Sequence, residues 1–287
     1  MRRWLIVLVI LLFSCEKRWW EETRFIQAPN WAPDNKILFL EEIWKTRHFR
    51  DWWGGAGIDK MISEIYLWEV DTHQNYRNLG LIFKIEGRYV GFSYLSCAGD
   101  WVLISGDTDT NIYAIKRSTL EKRYLGKGMY ADLSPDGKKF VYVKPKKGLW
   151  IKNIDGTNDH QIISDSNATH PAWSTDGGRI AFVLKTSVSL NTDSLIIIDT
   201  VNNLLHGYEL RIYIPDWGPA DSNAISFSNG YYGCILHIQD AFIDTLENIP
   251  MGDAPILWSP SGSYFIAYDG KWYVIKRDGS KKFYIKP

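Results

Sequence analysis

The stretch Trp173-Ser-Thr-Asp-Gly-Gly-Arg-Ile-Ala-Phe182, WSTDGGRIAF, is one of several loose copies of a single phrase in this 287-residue chain. Aligned on Trp173, the others are Asn30-Trp31-Ala-Pro-Asp34, a degenerate Ser93-Tyr94-Leu-Ser-Cys-Ala-Gly-Asp100, Asp132-Leu133-Ser-Pro-Asp-Gly137, Asp216-Trp217-Gly-Pro-Ala220 and Leu257-Trp258-Ser-Pro-Ser-Gly262. The six anchors are spaced by 63, 39, 40, 44 and 41 residues. All steps but the first lie near the ~40–45 residues of a four-stranded propeller blade.

The third unit shows the blade most clearly. Tyr130–Leu133 reads as a short strand and Ser134-Pro-Asp-Gly137 as a turn. Phe140–Val143, Leu149–Ile154 and His160–Ile163 then read as three more strands, with Asp155-Gly156 as a tight hairpin turn. Proline presets φ, aspartate bonds nearby backbone amides, and glycine accepts positive φ, so the phrase reads as a turn from the innermost strand into the second. The aromatic before each turn is expected to pack between adjacent sheets, because a sheet buried on both faces needs large apolar side chains on both. No sustained helical spacing follows residue 15, so almost no helix is expected. The fold class predicted is all-β, a six-bladed propeller over 23–287 with blades starting near 28, 91, 130, 170, 214 and 254.

The phrase, followed by I-x-x-x-D-x-D-G, resembles the repeats of TolB-type propellers, which are WD-repeat-like exported bacterial proteins. Residues 130–183 and 254–279 carry the resemblance best. It implies architecture rather than activity. The α/β domain that precedes the propeller in TolB is expected to be absent. So is the hydrolase domain that follows similar propellers in prolyl-oligopeptidase-like peptidases.

The chain opens MRRWLIVLVILLFSC. Arg2 and Arg3 precede a ten-residue apolar run, Trp4 to Phe13, too short to span a bilayer, which needs about 20 residues. The layout is that of an export signal. Leu12-Phe13-Ser14-Cys15 resembles a lipobox, implying a signal peptide over 1–14, lipidation of Cys15 and a tether over 15–22. Phe13 is larger than the usual residue there. The expected location is the cell envelope, membrane-anchored through lipid alone. Loss of Arg2 and Arg3 would leave 31 basic against 33 acidic residues; nothing in that balance resembles the basic face that nucleic-acid binding requires, and no nucleic-acid partner is expected. Cys97 and Cys234 are expected to lie apart and unpaired.

The long first step comes from an insertion at Glu41–Gly57, between strands at Ile37–Leu40 and Glu64–Val70. It is expected to be a loop at the channel mouth, on the same face as the long Lys185–Asp193 loop of blade four. Two readings of it stand side by side. In one, Trp44, His48, Phe49, Arg50, Trp52 and Trp53 form an aromatic, cationic rim for a partner. In the other they fold back and plug the channel. Asp132 and Asp216 share one repeat position on inner strands and are candidates to face the channel, as a cation site or, more simply, as backbone-bonded carboxylates. Asp107-Thr-Asp-Thr-Asn111 has the alternating oxygens of a calcium loop without its glycine and glutamate, so a polar hairpin is expected. His170 is expected to satisfy a backbone carbonyl.

No metal-ligand spacing, nucleophile elbow or phosphate loop occurs, and no cofactor or metal is expected. The functional expectation is a monomeric, non-catalytic propeller that binds a protein or peptide at the envelope. The alternative is an enzyme or a glycan or peptide binder using the channel mouth. For ring closure, two segments compete to complete the last blade, Lys281–Ile285 and Thr23–Gln27, and some pairing of Phe25–Gln27 with the final blade is expected.

Overall fold

The structure is a computed structural model that describes residues 17–51, 54–87, 92–106, 111–186, 193–201, 203–250, 254–280 and 282–286. These residues form six four-stranded antiparallel sheets and no helix. Blade one holds β1 (Lys17–Trp31), β2 (Ile37–Arg50), β3 (Ala56–Val70) and β4 (Tyr76–Glu86). Strands β5–β8 lie within 94–127, β9–β12 within 129–163, β13–β16 within 168–210, β17–β20 within 213–250 and β21–β24 within 257–284. The first strand of each blade neighbours the first strands of the blades before and after it, and β21 returns to β1, so the ring is closed. The six-bladed wheel implied by the TolB-type repeats is present. In blade three the strands fall within a residue or two of their expected bounds.

Among the described residues there is no central core. The buried apolar side chains form six clusters, each shared by two neighbouring blades. Leu133, Trp173, Trp217, Trp258 and Trp31 each pack on the preceding blade, as expected of wedges that bury both flanks. The phrase between first and second strands is a rigid turn. Ser134 Oγ donates to Asp136 at 2.6 Å and accepts from Lys139 N at 3.0 Å, while Gly137 takes φ 67. Ser174, Asp176 and Gly177 repeat this geometry in blade four.

In blade two the alignment shifts. The residue equivalent to Trp31 and Leu133 is Cys97, three positions after Tyr94. The reason is a deletion: β5 (Tyr94–Ala98) turns into β6 through Gly99-Asp100 alone, with Ala98 opposite Trp101. Tyr94 therefore stands at the channel mouth and not in the anchor position. Cys97 and Cys234 are both free thiols, as expected.

Closure also differs from expectation. Phe25, Ile26 and Gln27 pair with Glu42, Glu41 and Leu40 of their own blade. Strand β24 (Lys282–Tyr284) completes blade six by pairing with β23 (Trp272–Lys276). The Asp278-Gly279 turn makes that pairing local, and a short loop costs less closure entropy than recruiting the other end of the chain. Blades six and one are joined by side chains instead. Trp31 and Ile26 pack with Leu257, Ile266 and Phe283, and Tyr76 Oη donates to Tyr284 O at 3.3 Å.

The stretch 17–22 was expected as a tether and 41–57 as a loop, yet both lie largely in strands. The register runs unbroken from Lys17 opposite Arg50 to Gln27 opposite Leu40, and Arg50 in turn faces Ala56 of β3. Blade one thus continues beyond the ring as a ribbon. Seven residue steps from Lys17 to Arg24, all exposed, make its projecting part about 23 Å long.

Candidate functional site

The ribbon leaves the ring on the side where inner strands begin. Alternation sorts the expected rim residues onto two faces. Trp44 packs on Phe25, with ring centroids 4.4 Å apart, and His48 stacks on Trp19 at 5.3 Å and pairs with Glu21 at 2.9 Å. Phe49 lies on the opposite face against Gly57, and Arg50 is exposed at the end. The four do not form one cluster, and none enters the channel. Trp52 and Trp53 lie outside the described residues, as do Cys15, Asp107–Thr110 and most of the Lys185–Asp193 loop. Trp19 and Trp20 lie in a stretch that reads as a tether, and Arg47 joins them only through the pairing of β1 with β2, so composition alone does not bring out the three. Arg47 sits over the Trp20 ring at 5.6 Å and binds Asp59 at 2.9 Å.

Inside the ring, one repeat position joins all six blades. It is held by Asn30, Ser96, Asp132, Ala172, Asp216 and Leu257. Where it is polar, its side chain bonds the next blade's backbone: Asn30 Nδ2 donates to Leu95 O at 2.7 Å, and Ser96 Oγ accepts from Leu133 N at 3.0 Å. Asp132 accepts from Trp173 N at 2.6 Å, and Asp216 from Trp258 N at 2.8 Å. Where it is apolar, its carbonyl accepts from the next blade's indole. Trp217 Nε1 reaches Ala172 O at 3.0 Å, and Trp31 Nε1 reaches Leu257 O at 3.2 Å. Asp132 and Asp216 do face the channel, but each is committed to a backbone amide. Among the described residues no group of three acidic, histidine or cysteine side chains converges to hold a metal.

Burial pushes the Asp132 carboxyl up to about 6, against the bonds from Ser96 and Trp173. Burial first, with the Asp132 charge adding, pushes Asp216 up to about 8. A carboxyl raised on folding takes up a proton as the chain folds, so its contribution to stability is full below about pH 4 and falls as the pH rises to about 8. Asp216→Asn keeps an oxygen for Trp258 N and removes the charge. The variant is expected to lose less stability than the parent over that rise, by on the order of a few kcal/mol, when melting is followed against pH.

This level divides the channel into two cavities, of about 120 Å³ at the mouth and about 350 Å³ on the turn side. At the mouth, three residues before each anchor, stand Ala28, Tyr94, Tyr130 and His170 from four consecutive blades. Ala28, Tyr130 and His170 have positive φ, at 47, 53 and 47. Such values are costly for side-chain-bearing residues and are held here by bulges in the first strands. The bulges bring Tyr130 onto His170, with ring centroids 4.1 Å apart, and Tyr94 edge-on to Tyr130 at 4.7 Å. Tyr94 Oη and His170 Nε2 are 3.0 Å apart, and Thr169 Oγ1 lies 3.1 Å from Nδ1. His170 therefore bonds side chains and not the backbone carbonyl expected. Burial lowers its pKa to about 4, so the imidazole is neutral at neutral pH. This trio is the convergent site, and only the repeat offset that hid Tyr94 kept it from being read in sequence.

The sequence matches no known protein family and no curated protein. Among solved structures, a chain of a nidogen/laminin complex superposes with TM-score 0.59 at 12% identity, covering 78% of this chain and 90% of its own. An oligogalacturonate lyase from Vibrio parahaemolyticus gives 0.51 at 11% identity, covering 92% and 99%. A chain of the mitotic checkpoint complex gives 0.54 at 11%, covering 91% and 87%. These likenesses show the fold, and that fold serves both binding and catalytic proteins.

Proposed function

We propose that this protein is an exported, lipid-anchored, non-catalytic propeller that binds an extended peptide segment of a partner protein across its channel mouth. The observation that carries the reading is the Tyr94–Tyr130–His170 trio, three rings from consecutive blades, two of them, Tyr130 and His170, set by strained backbone. Rigid aromatic anchors at a concave site are what interface hot spots are built from. The ribbon supports the reading. Strand β1 pairs with β2 alone among the described strands, so the other edge of its exposed 17–24 part is open on the axial side, beside the mouth. An open edge is a template for a further strand, whose backbone would bond β1 while a side chain enters the mouth.

The test places a photo-crosslinking residue at Tyr94 in the full-length chain and examines detergent-solubilised envelope. A single partner is expected to be captured, and Tyr130→Ala with His170→Ala is expected to weaken its binding at least about 30-fold, the size of a hot-spot loss. Unchanged affinity in the double variant would overturn the proposal. The Tyr94–His170 contact favours one second reading, a small ligand handled by that pair. Under it Tyr94→Phe would abolish turnover of the ligand, whereas a peptide site would keep its affinity within a few-fold.

A further inference from the structure

We infer that the tip of the blade-one ribbon is a seat on the phospholipid bilayer surface, holding the propeller with its channel mouth toward the membrane. The apolar run ends at Phe13, and only Ser14, Cys15 and Glu16 separate it from Lys17, where the ribbon begins. Four residue steps span at most about 14 Å, and two steps from Cys15 at most about 7 Å. Whatever holds that end of the chain to lipid, acyl chains on Cys15 or the apolar run itself, brings the tip to the headgroups. The inference rests on the anchor reading above and adds a surface to it.

The side chains at the tip suit that surface. Trp19 and Trp20 are 41% and 50% exposed and point to opposite faces, so the ribbon is girdled by indoles at one height. Ile58, 52% exposed, stands beside them on β3, opposite His48. Below this girdle the last rung sets Lys17 opposite Arg50, two cations in register, and Arg18 lies near Asp59 at 3.8 Å. Each indole covers one neighbour on its own face, Trp19 on His48 and Trp20 under Arg47, and still leaves 41% and 50% of its surface to solvent. Tryptophan belts with flanking lysine and arginine are the composition of the bilayer interface, where the indole sits among headgroups and the cations meet phosphate.

The experiment uses the full-length chain reconstituted into phosphatidylethanolamine/phosphatidylglycerol vesicles that carry a nitroxide-headgroup lipid. A bimane is attached at Ala56→Cys, on the rung of Arg50, or at Val201→Cys, with the unsubstituted chain as background. Val201 is 77% exposed, and its turn lies beside the repeated phrase, since Thr200 N donates to Gly178 O, so it reports the far face. Quenching at 56 is expected to exceed that at 201 by about fivefold or more, and Trp19→Ala with Trp20→Ala to reduce it at least about twofold while vesicle flotation persists. Equal quenching at the two positions, with flotation retained, would overturn the seat and leave the anchor standing. So would quenching at 56 indifferent to the double alanine. A chain that fails to float would overturn both.

Discussion

Glu69→Ala is expected to destabilise the protein by about 3–5 kcal/mol, the loss typical of removing one partner from a buried charge cluster. Glu69 is 3% exposed and is the hub of the seam between blades one and two. It accepts from Arg77 Nε at 2.7 Å, from Lys36 Nζ at 3.0 Å and from Arg117, which reaches across from blade two. Burial alone would raise its pKa, but the three cations outweigh burial and hold it at about 2. Without the carboxylate, Arg117 stays largely enclosed with Asp34, 3.0 Å away, as its remaining acid. The measurement is urea unfolding at neutral pH. A second readout follows from linkage. A carboxyl depressed on folding contributes stability above its ordinary value of 4.5 and loses it as the pH falls toward 2, so the acid-side decline of the parent should flatten in the variant. Glu69→Gln should fall between the two, keeping shape and one acceptor while losing the charge.

Trp31→Ala is expected to cost about 3–5 kcal/mol, the usual range for emptying a large aromatic site. Trp31 fills the junction of blades six and one, the single junction that must form between the two ends of the chain. Its indole also supplies that junction's bond across the channel wall. Trp258 occupies the same repeat position between blades five and six, yet its Nε1 has no hydrogen-bond partner among the described residues. Phenylalanine therefore separates the two contributions. Trp31→Phe should lose about 1–3 kcal/mol more than Trp258→Phe, because only the first leaves a buried carbonyl without its donor. Equal losses in chemical unfolding would mean that the indole bond contributes nothing to closure.

The wheel was legible because its information is local. Each turn phrase carries its own hydrogen-bonding residues, and each anchor tryptophan needs only a neighbouring wedge to pack on. The errors arose where distant segments met. Residues 17–22 look like a polar tether until they lie against 45–50, and neither run shows a buried face that would betray a strand. Trp44, Thr46 and His48 alternate with Lys45, Arg47 and Phe49, but both sets are amphipathic, so period two carried no apolar signal. Tyr94 imitated an anchor because blade two lost its long turn. That Asp132 and Asp216 bond backbone agrees with the simpler expectation for them; that the amides are those of the next blade depends on inter-blade spacing, which no single repeat encodes.

The register of β1 with β2 has a mechanical meaning. The strand runs from Lys17 straight into the wheel, with its partner rungs set across the line of a pull along the strand at that end. Tension there loads many rungs at once, sideways, and does not unzip them one by one. The other terminus follows β24, a three-residue strand on the outer margin held by three rungs, so a pull there has few bonds to load. Tugged from its beginning the molecule should behave as a stiff hook, and tugged from its end as a thread, a contrast that optical tweezers would read directly as unequal rupture forces.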